Sequence, residues 1–258
     1  KELILRLIDS LKVNKDDRIY IIYNNELKFY NFEDKILFKE KNINFLKLNN
    51  KTKGPAETVF NLTKIIIEEN INEKVIIIDG DVFFKFDILK KIKNEKNNSI
   101  FYFKTKEKKP IYSYIKIDKQ YITDIKEKKI ISNNANLGAY YFSNIFLLNK
   151  YLKVTLKEKS SKLYISDVYK KLINDKIKVK AIKVNNDLFE ILGTPQQLTS
   201  FAIKNKSKKI NVDFYFEGIF RKVNNTKNIY EDYIPIEKNI KFINFLFSKN
   251  NHINIVCS

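Results

Sequence analysis

Cysteine, histidine and arginine are nearly missing from this 258-residue chain, and methionine and tryptophan are missing altogether. The lone Cys257 cannot close an internal disulfide, and with His252 as the only histidine a zinc site of the usual Cys/His kind has no material. No plausible Cys/His or Ser/His nucleophile pair can be composed either. The scarcity of thiols points to a reducing, cytoplasmic setting. No apolar run approaches the roughly 18–20 residues that span a bilayer, and the N-terminal stretch lacks the layout of a signal peptide, so membrane insertion is not expected. With no methionine and Lys1 at its head, the sequence reads as a processed chain or, preferably, a fragment.

The formal net charge of +19 invites a nucleic-acid reading. The only arginines, however, are Arg6, Arg18 and Arg221, and arginine is the side chain whose planar fork suits phosphates and base edges. The lysines are spread along the whole chain among many Asn and Ile residues. A solvated lysine surface is the expectation, with no nucleic-acid partner; a lysine-rich nucleic-acid binder is kept as a rival. Hydrophobic residues at 44% are enough for one sizeable core and argue against disorder.

Apolar residues at Leu3, Ile4, Leu7, Ile8 and Leu11 share one helical face. Residues 18–23, 45–48, 74–78 and 99–103 read as strands, and 56–70 and 87–96 as helices. This alternation predicts a mainly parallel sheet with helices on both faces. From about 111 the rhythm changes: 111–117, Tyr121–Glu127 and 139–142 read as consecutive strands of a mixed sheet. Helices are predicted over 143–152 and 165–174, a strand over 178–184, and a helix after the turn at 193–195. The polar run 205–209 is the best linker, followed by a strand at 210–216, a helix at 236–247 and a strand at 253–256.

Three short patterns carry chemistry. Asp79-Gly80-Asp81 follows the most apolar strand, where ligands gather in open α/β sheets. Two carboxylates flanking a glycine suit a hard cation such as Mg²⁺, although an aspartate there could equally cap the next helix. Gly54-Pro55-Ala56 precedes a helix, where free N–H groups favour an anion or a base edge; ordinary helix initiation by proline is the plainer alternative. Glu127-Lys128 follows a strand and could take sugar hydroxyls and a phosphate, though in so lysine-rich a chain this pair alone says little.

Taken together and in order, TKGPAETV, VIIIDGDVFF, SYIKID…ITDIKEKK, ANLGAYYF, LYISDVYKKLI and LGTPQQLTSF resemble the sugar-phosphate nucleotidyltransferase family, over roughly residues 1–203. The nearest likeness is to members from capsule and surface-polysaccharide clusters. The resemblance implies an α/β, Rossmann-like three-layer sandwich with a mixed, mainly parallel sheet of the GT-A-like kind. Gly54, Pro55, Ala56 and Gly80 would lie at the nucleotide. Asp81, with Asp79, would bind Mg²⁺, and Asp81 and Lys128 would serve catalysis. Ser113, Glu127, Lys128, Asn136 and Gly138 would contact the sugar phosphate, Ser113 standing where the family often has glycine. The implied reaction transfers a nucleoside monophosphate from an NTP to a sugar phosphate or related phosphomonoester, releasing pyrophosphate. The alternative is a non-catalytic nucleotide- or sugar-phosphate-binding homologue or structural partner.

Two departures accompany the resemblance. KELILRLIDSL matches the helix that follows the family's first strand and phosphate loop, so the resemblance implies a sequence given without that strand and loop. Where many members place a second metal-binding Asp, this sequence has Ile191, with Glu190 adjacent. The implied domains are a nucleotidyltransferase domain over 1–204, a linker at 205–209, and a segment over 210–258 that resembles the start of a haloacid-dehalogenase-like phosphatase. In that segment Asp213 matches the nucleophile, but Tyr215 replaces the general acid, so no phosphatase activity is expected from it.

Overall fold

The computed structural model describes residues 3–24, 43–69, 72–204, 211–215 and 252–256, with the single positions 33, 244 and 248. The linker 205–209 and the helix expected over 236–247 lie outside the described residues, apart from position 244 within the latter. The chain divides into two compact units: one of Leu11–Asp79 and Phe84–Phe189, the other of Lys1–Ser10, Gly80–Phe83 and Glu190–Ser258.

The larger unit is organised by a six-stranded sheet. Its strands are β3 (Val75–Ile78), β5 (Asn98–Lys104), β6 (Ser113–Asp118), β7 (Tyr121–Glu127), β8 (Asn134–Phe142) and β9 (Val179–Lys183), in the order β3-β8-β5-β9-β7-β6. The pairings set β3, β5, β9 and β6 in one direction and β8 and β7 in the other. Because β8 and β7 lie between the co-directional strands, β5–β9 is the one parallel neighbour pair of this sheet. The sheet is thus mixed, as the pattern after residue 111 suggested. A separate parallel pair joins β1 (Ile19–Asn24) and β2 (Ile43–Leu48).

β8 is buried along all nine residues, which explains why NANLGAYYF shows no period-two alternation. Against the sheet pack α4 (Ile145–Leu156) and α5 (Ile165–Asn174), while α2 (Pro55–Glu68) packs on these two helices and on β1. In α5, Ile165, Val168, Tyr169 and Leu172 repeat at helical spacing and are all buried. Tyr169 lies across Phe142, ring centroids 4.7 Å apart, and its hydroxyl reaches the carbonyls of Tyr141 at 2.8 Å and Ser99 at 3.1 Å. Burying such a side chain contributes about 2–3 kcal/mol, and the hydrogen bonds remove the penalty for its hydroxyl. Asn144 caps α4 by accepting the Leu147 N–H at 2.9 Å, and Asp87 caps the short α3 (Ile88–Ile92) by accepting that of Lys90 at 3.0 Å. Each cap is worth about 1 kcal/mol.

The smaller unit contains α1 (Leu3–Ser10), α6 (Pro195–Lys204) and the parallel pair β11 (Asn211–Tyr215) and β12 (His252–Val256). The ring of Phe83 stands edge-on to Phe201, which also lies under the Arg6 guanidinium. The strands β4 (Val82–Phe84) and β10 (Phe189–Ile191) pair with one another, and the division between units falls within both.

Candidate functional site

β6 and β7 pair antiparallel with Ser113 opposite Glu127. That register brings the Ser113 hydroxyl onto Glu127 Oε2, to which it donates a very short hydrogen bond. A second hydroxyl, from Ser166 in the first turn of α5, donates to the same oxygen at 2.8 Å. Both serines are buried, so these bonds form away from competing water. α5 starts where it does because Asp167 accepts the Tyr164 N–H at 2.8 Å. Burial raises the Asp167 carboxyl, and that backbone bond pulls it partly back. Lys128 then leaves the strand with a positive φ of 47°, its N–H donating to Tyr112 O at 3.0 Å. Its ammonium lies 5.9 Å from the ring centroid of Tyr164, which Lys162 also approaches at 5.3 Å.

Ile78 pairs with Ala139, which sets Asp79 beside Gly138. The Asp79 N–H donates to Gly138 O at 2.8 Å, and a Cβ on Gly138 would stand 2.6 Å from Asp79 Oδ2. Gly138 has φ +79°, so space and backbone both require glycine. Asn136 Oδ1 accepts the Gly138 N–H at 2.9 Å, while its Nδ2, buried, makes no hydrogen bond among the described residues. Tyr140, two positions on, is pushed well above its usual range by burial and by the nearby Asp79 and Glu127 charges, with Ser113 and Asn136 beside its hydroxyl. Four expected residues, Asp79, Ser113, Glu127 and Asn136, therefore all act on the ionisation of one tyrosine the sequence reading had not singled out.

The Gly54 loop has a different local logic. Gly54 sits at φ 138° and ψ −174°, and a Cβ there would be 2.6 Å from Leu163 O. Leu163 donates its N–H to Lys53 O at 2.9 Å and accepts that of Ala56 at 3.1 Å. The glycine is thus needed for the close approach of another backbone segment, and Pro55 follows at the start of α2. Ala56 is fully buried with its N–H engaged.

In the smaller unit, Leu192 donates its N–H to Asp81 O at 2.8 Å, and a Cβ on Gly193 would collide with the Asp81 carboxylate. Burial raises the Asp81 carboxyl, and a hydrogen bond from its own backbone offsets this in part. Glu190 pairs with Lys204 at 3.2 Å, so the carboxylate next to Ile191 already faces a cation. No group of three or more metal-ligating side chains occurs among the described residues. A desolvated carboxylate with no ion pair among the described residues nevertheless fits Mg²⁺, which proteins often hold through one or two carboxylates together with substrate phosphates.

The aspartates at the exit of β3 in this mixed α/β sheet stand where open α/β folds gather their ligands. The family described as Nucleotidyl transferase matches residues 1–207, and the chain belongs to that family. Among solved structures, it is similar to a nucleoside-diphosphate-sugar pyrophosphorylase from Vibrio cholerae RC9, with TM-score 0.66 and 17% identity over 78% of this chain and 87% of that one. It is also similar to the inositol-1-phosphate CTP transferase from T. maritima, with TM-score 0.60 and 20% identity over 79% and 81%. These likenesses concern the fold. No curated protein matches the sequence. Among the described residues no helix is long and apolar enough to cross a membrane.

Proposed function

We propose that this chain transfers a nucleoside monophosphate from an NTP to a sugar phosphate or related phosphomonoester, in the cytoplasm, for capsule or surface glycan assembly. The observation that carries the reading is Glu127: a carboxylate braced by two buried hydroxyls and followed at once by a lysine. Glu127 would accept hydrogen bonds from the acceptor's hydroxyls, and Lys128 would neutralise its phosphate and serve catalysis. Ser113, Asn136 and Gly138 would line the acceptor, with the buried Asn136 Nδ2 as a ready donor. Gly54, Pro55, Ala56 and Gly80 would border the nucleotide, Gly54 acting through the loop it allows rather than through contact alone.

An acceptor phosphate oxygen attacks the α-phosphorus, a P–O bond forms, the bond to the β-phosphate bridging oxygen breaks, and pyrophosphate leaves with that electron pair. The protein's part is orientation and charge neutralisation. Asp81, with Asp79, is the proposed Mg²⁺ ligand set; the ion would supply Lewis-acid stabilisation of phosphate charge. A second reading, a binder without turnover, is favoured by one observation, Ile191 in place of a second carboxylate.

We further take 1–204 as the nucleotidyltransferase domain, 205–209 as a linker and 210–258 as a haloacid-dehalogenase-like segment. The parallel β11–β12 pair supports a β-α-β start there, and Tyr215 argues against phosphatase chemistry. The test is pyrophosphate release by the full-length protein with each NTP across a panel of sugar phosphates. Release that requires a phosphomonoester supports the enzyme. Binding of both substrates without release supports the second reading, and absence of both removes the proposal.

A further inference from the structure

The entry to α5 and its first turn meet the site at three positions. Leu163 is tied by two backbone bonds to the 53–56 loop, Tyr164 sets its ring under the Lys128 ammonium, and Ser166 donates to Glu127. We infer that Ser166 is a positioning residue for acceptor binding. Together with Ser113 it saturates one oxygen of Glu127, so that the carboxylate keeps one orientation and presents Oε1 to the acceptor. The inference rests on the proposed role of Glu127 as the acceptor hook.

Three observations carry it. Ser113 and Ser166 come from separate elements, a strand and a helix, yet both donate to Oε2, which leaves Oε1 with no hydrogen bond among the described residues. Ser166 is only 1% exposed, so its hydroxyl has no solvent role. Ser166 stands in the first turn of α5, where no earlier turn of its own helix lies behind it, and its hydroxyl goes to a carboxylate 39 residues distant in sequence. A hydroxyl placed so is spent on orienting Glu127.

The test is calorimetric titration of glucose 1-phosphate, inositol 1-phosphate and phosphocholine, and separately of each NTP, into the unaltered protein and the variants Ser166→Ala, Ser166→Thr and Glu127→Gln. Ser166→Ala should weaken binding of the phosphomonoester about tenfold, as expected for one lost bond to a charged group. The NTP affinity should stay within about twofold, and Ser166→Thr, which keeps the hydroxyl, should restore acceptor binding. If Ser166→Ala melts before titration, Ser166→Cys, which keeps the shape of the side chain but donates only weakly, applies the same test at the same position. Full acceptor affinity in Ser166→Ala with weakened binding in Glu127→Gln overturns the positioning role and leaves the Glu127 reading standing. Equal weakening toward NTP and acceptor makes Ser166 merely structural and also overturns it. Unchanged binding in Glu127→Gln, or no phosphomonoester bound by the unaltered protein, overturns both.

Discussion

Two carboxylates of this molecule are buried in opposite ways. Glu127, in the larger unit, is held by neutral hydroxyls on one oxygen. Asp81, in the smaller unit, is desolvated beside Gly193 and, among the described residues, offset by its own backbone alone, so burial drives its pKa upward. A third, Glu95, shows the ordinary structural solution. Against the cost of burial, the ammonium of Lys180 at 2.7 Å and the bonds from Asn97 bring it down to about 2. A neutral brace thus orients a carboxylate and leaves it open to a ligand. An unbraced, desolvated one is a standing cost unless a cation arrives.

The sharpest way to break the contrast is Asp81→Asn. Nucleotidyl transfer should fall by about 100-fold or more, because a ligand to the proposed ion is lost, and pyrophosphate release reads it directly. The same variant should melt higher than the parent at neutral pH. The sign follows from the raised pKa: stability is full below the unfolded value near 3.8 and is lost as pH rises through the higher folded value. The melting difference should therefore shrink toward zero as pH drops below that value. Transfer unaffected by Asp81→Asn would remove the ion-binding role.

Next in size, Gly54→Ala should cost about 2–4 kcal/mol by denaturant unfolding, since it forces a strained φ and pushes Leu163 O, which is backbone and cannot swing aside. Gly193→Ala should cost less, about 1–3 kcal/mol, because it meets the far end of the Asp81 side chain. A Gly193→Ala chain that loses transfer more than stability would tie the 192–194 turn to Asp81 function.

The smallest effect belongs to Lys180→Met. Removing the cation beside Glu95 should cost about 1 kcal/mol at neutral pH, since the lysine is partly exposed. Because the Glu95 pKa is lowered, that stability is present above the ordinary 4.5 and is lost as pH falls toward about 2. Lys180→Met should flatten the acid limb of a melting-temperature profile over that window and leave neutral-pH transfer intact.

Much of the fold was legible because it is local. The periodicity of Ile165, Val168, Tyr169 and Leu172 marks α5, the run Tyr121–Glu127 is read as the strand it forms, and Pro55 opens α2. β8 was legible only at its end, since a strand buried on both faces carries no alternation and its Asn residues read as loop. The strand order was not legible. The interposition of β8 between β3 and β5 depends on pairing between segments far apart in sequence. Candidate residues were legible as types in a motif order, whereas Ser166 and Tyr140 were missed because hydroxyls in apolar helices and strands look like core.

Alone, the order of residues along this chain determined its membership in a nucleotidyl-transferring family, its element types, and the identity of Asp81, Glu127 and Lys128 as candidates. Only tertiary structure decided that Gly54 serves Leu163, that Gly138 makes room for Asp79, and that Ser166 reaches Glu127. The reason is physical: helix and strand periods are written in neighbouring residues, but a close approach or a shared hydrogen bond depends on surfaces that meet only once the chain has packed.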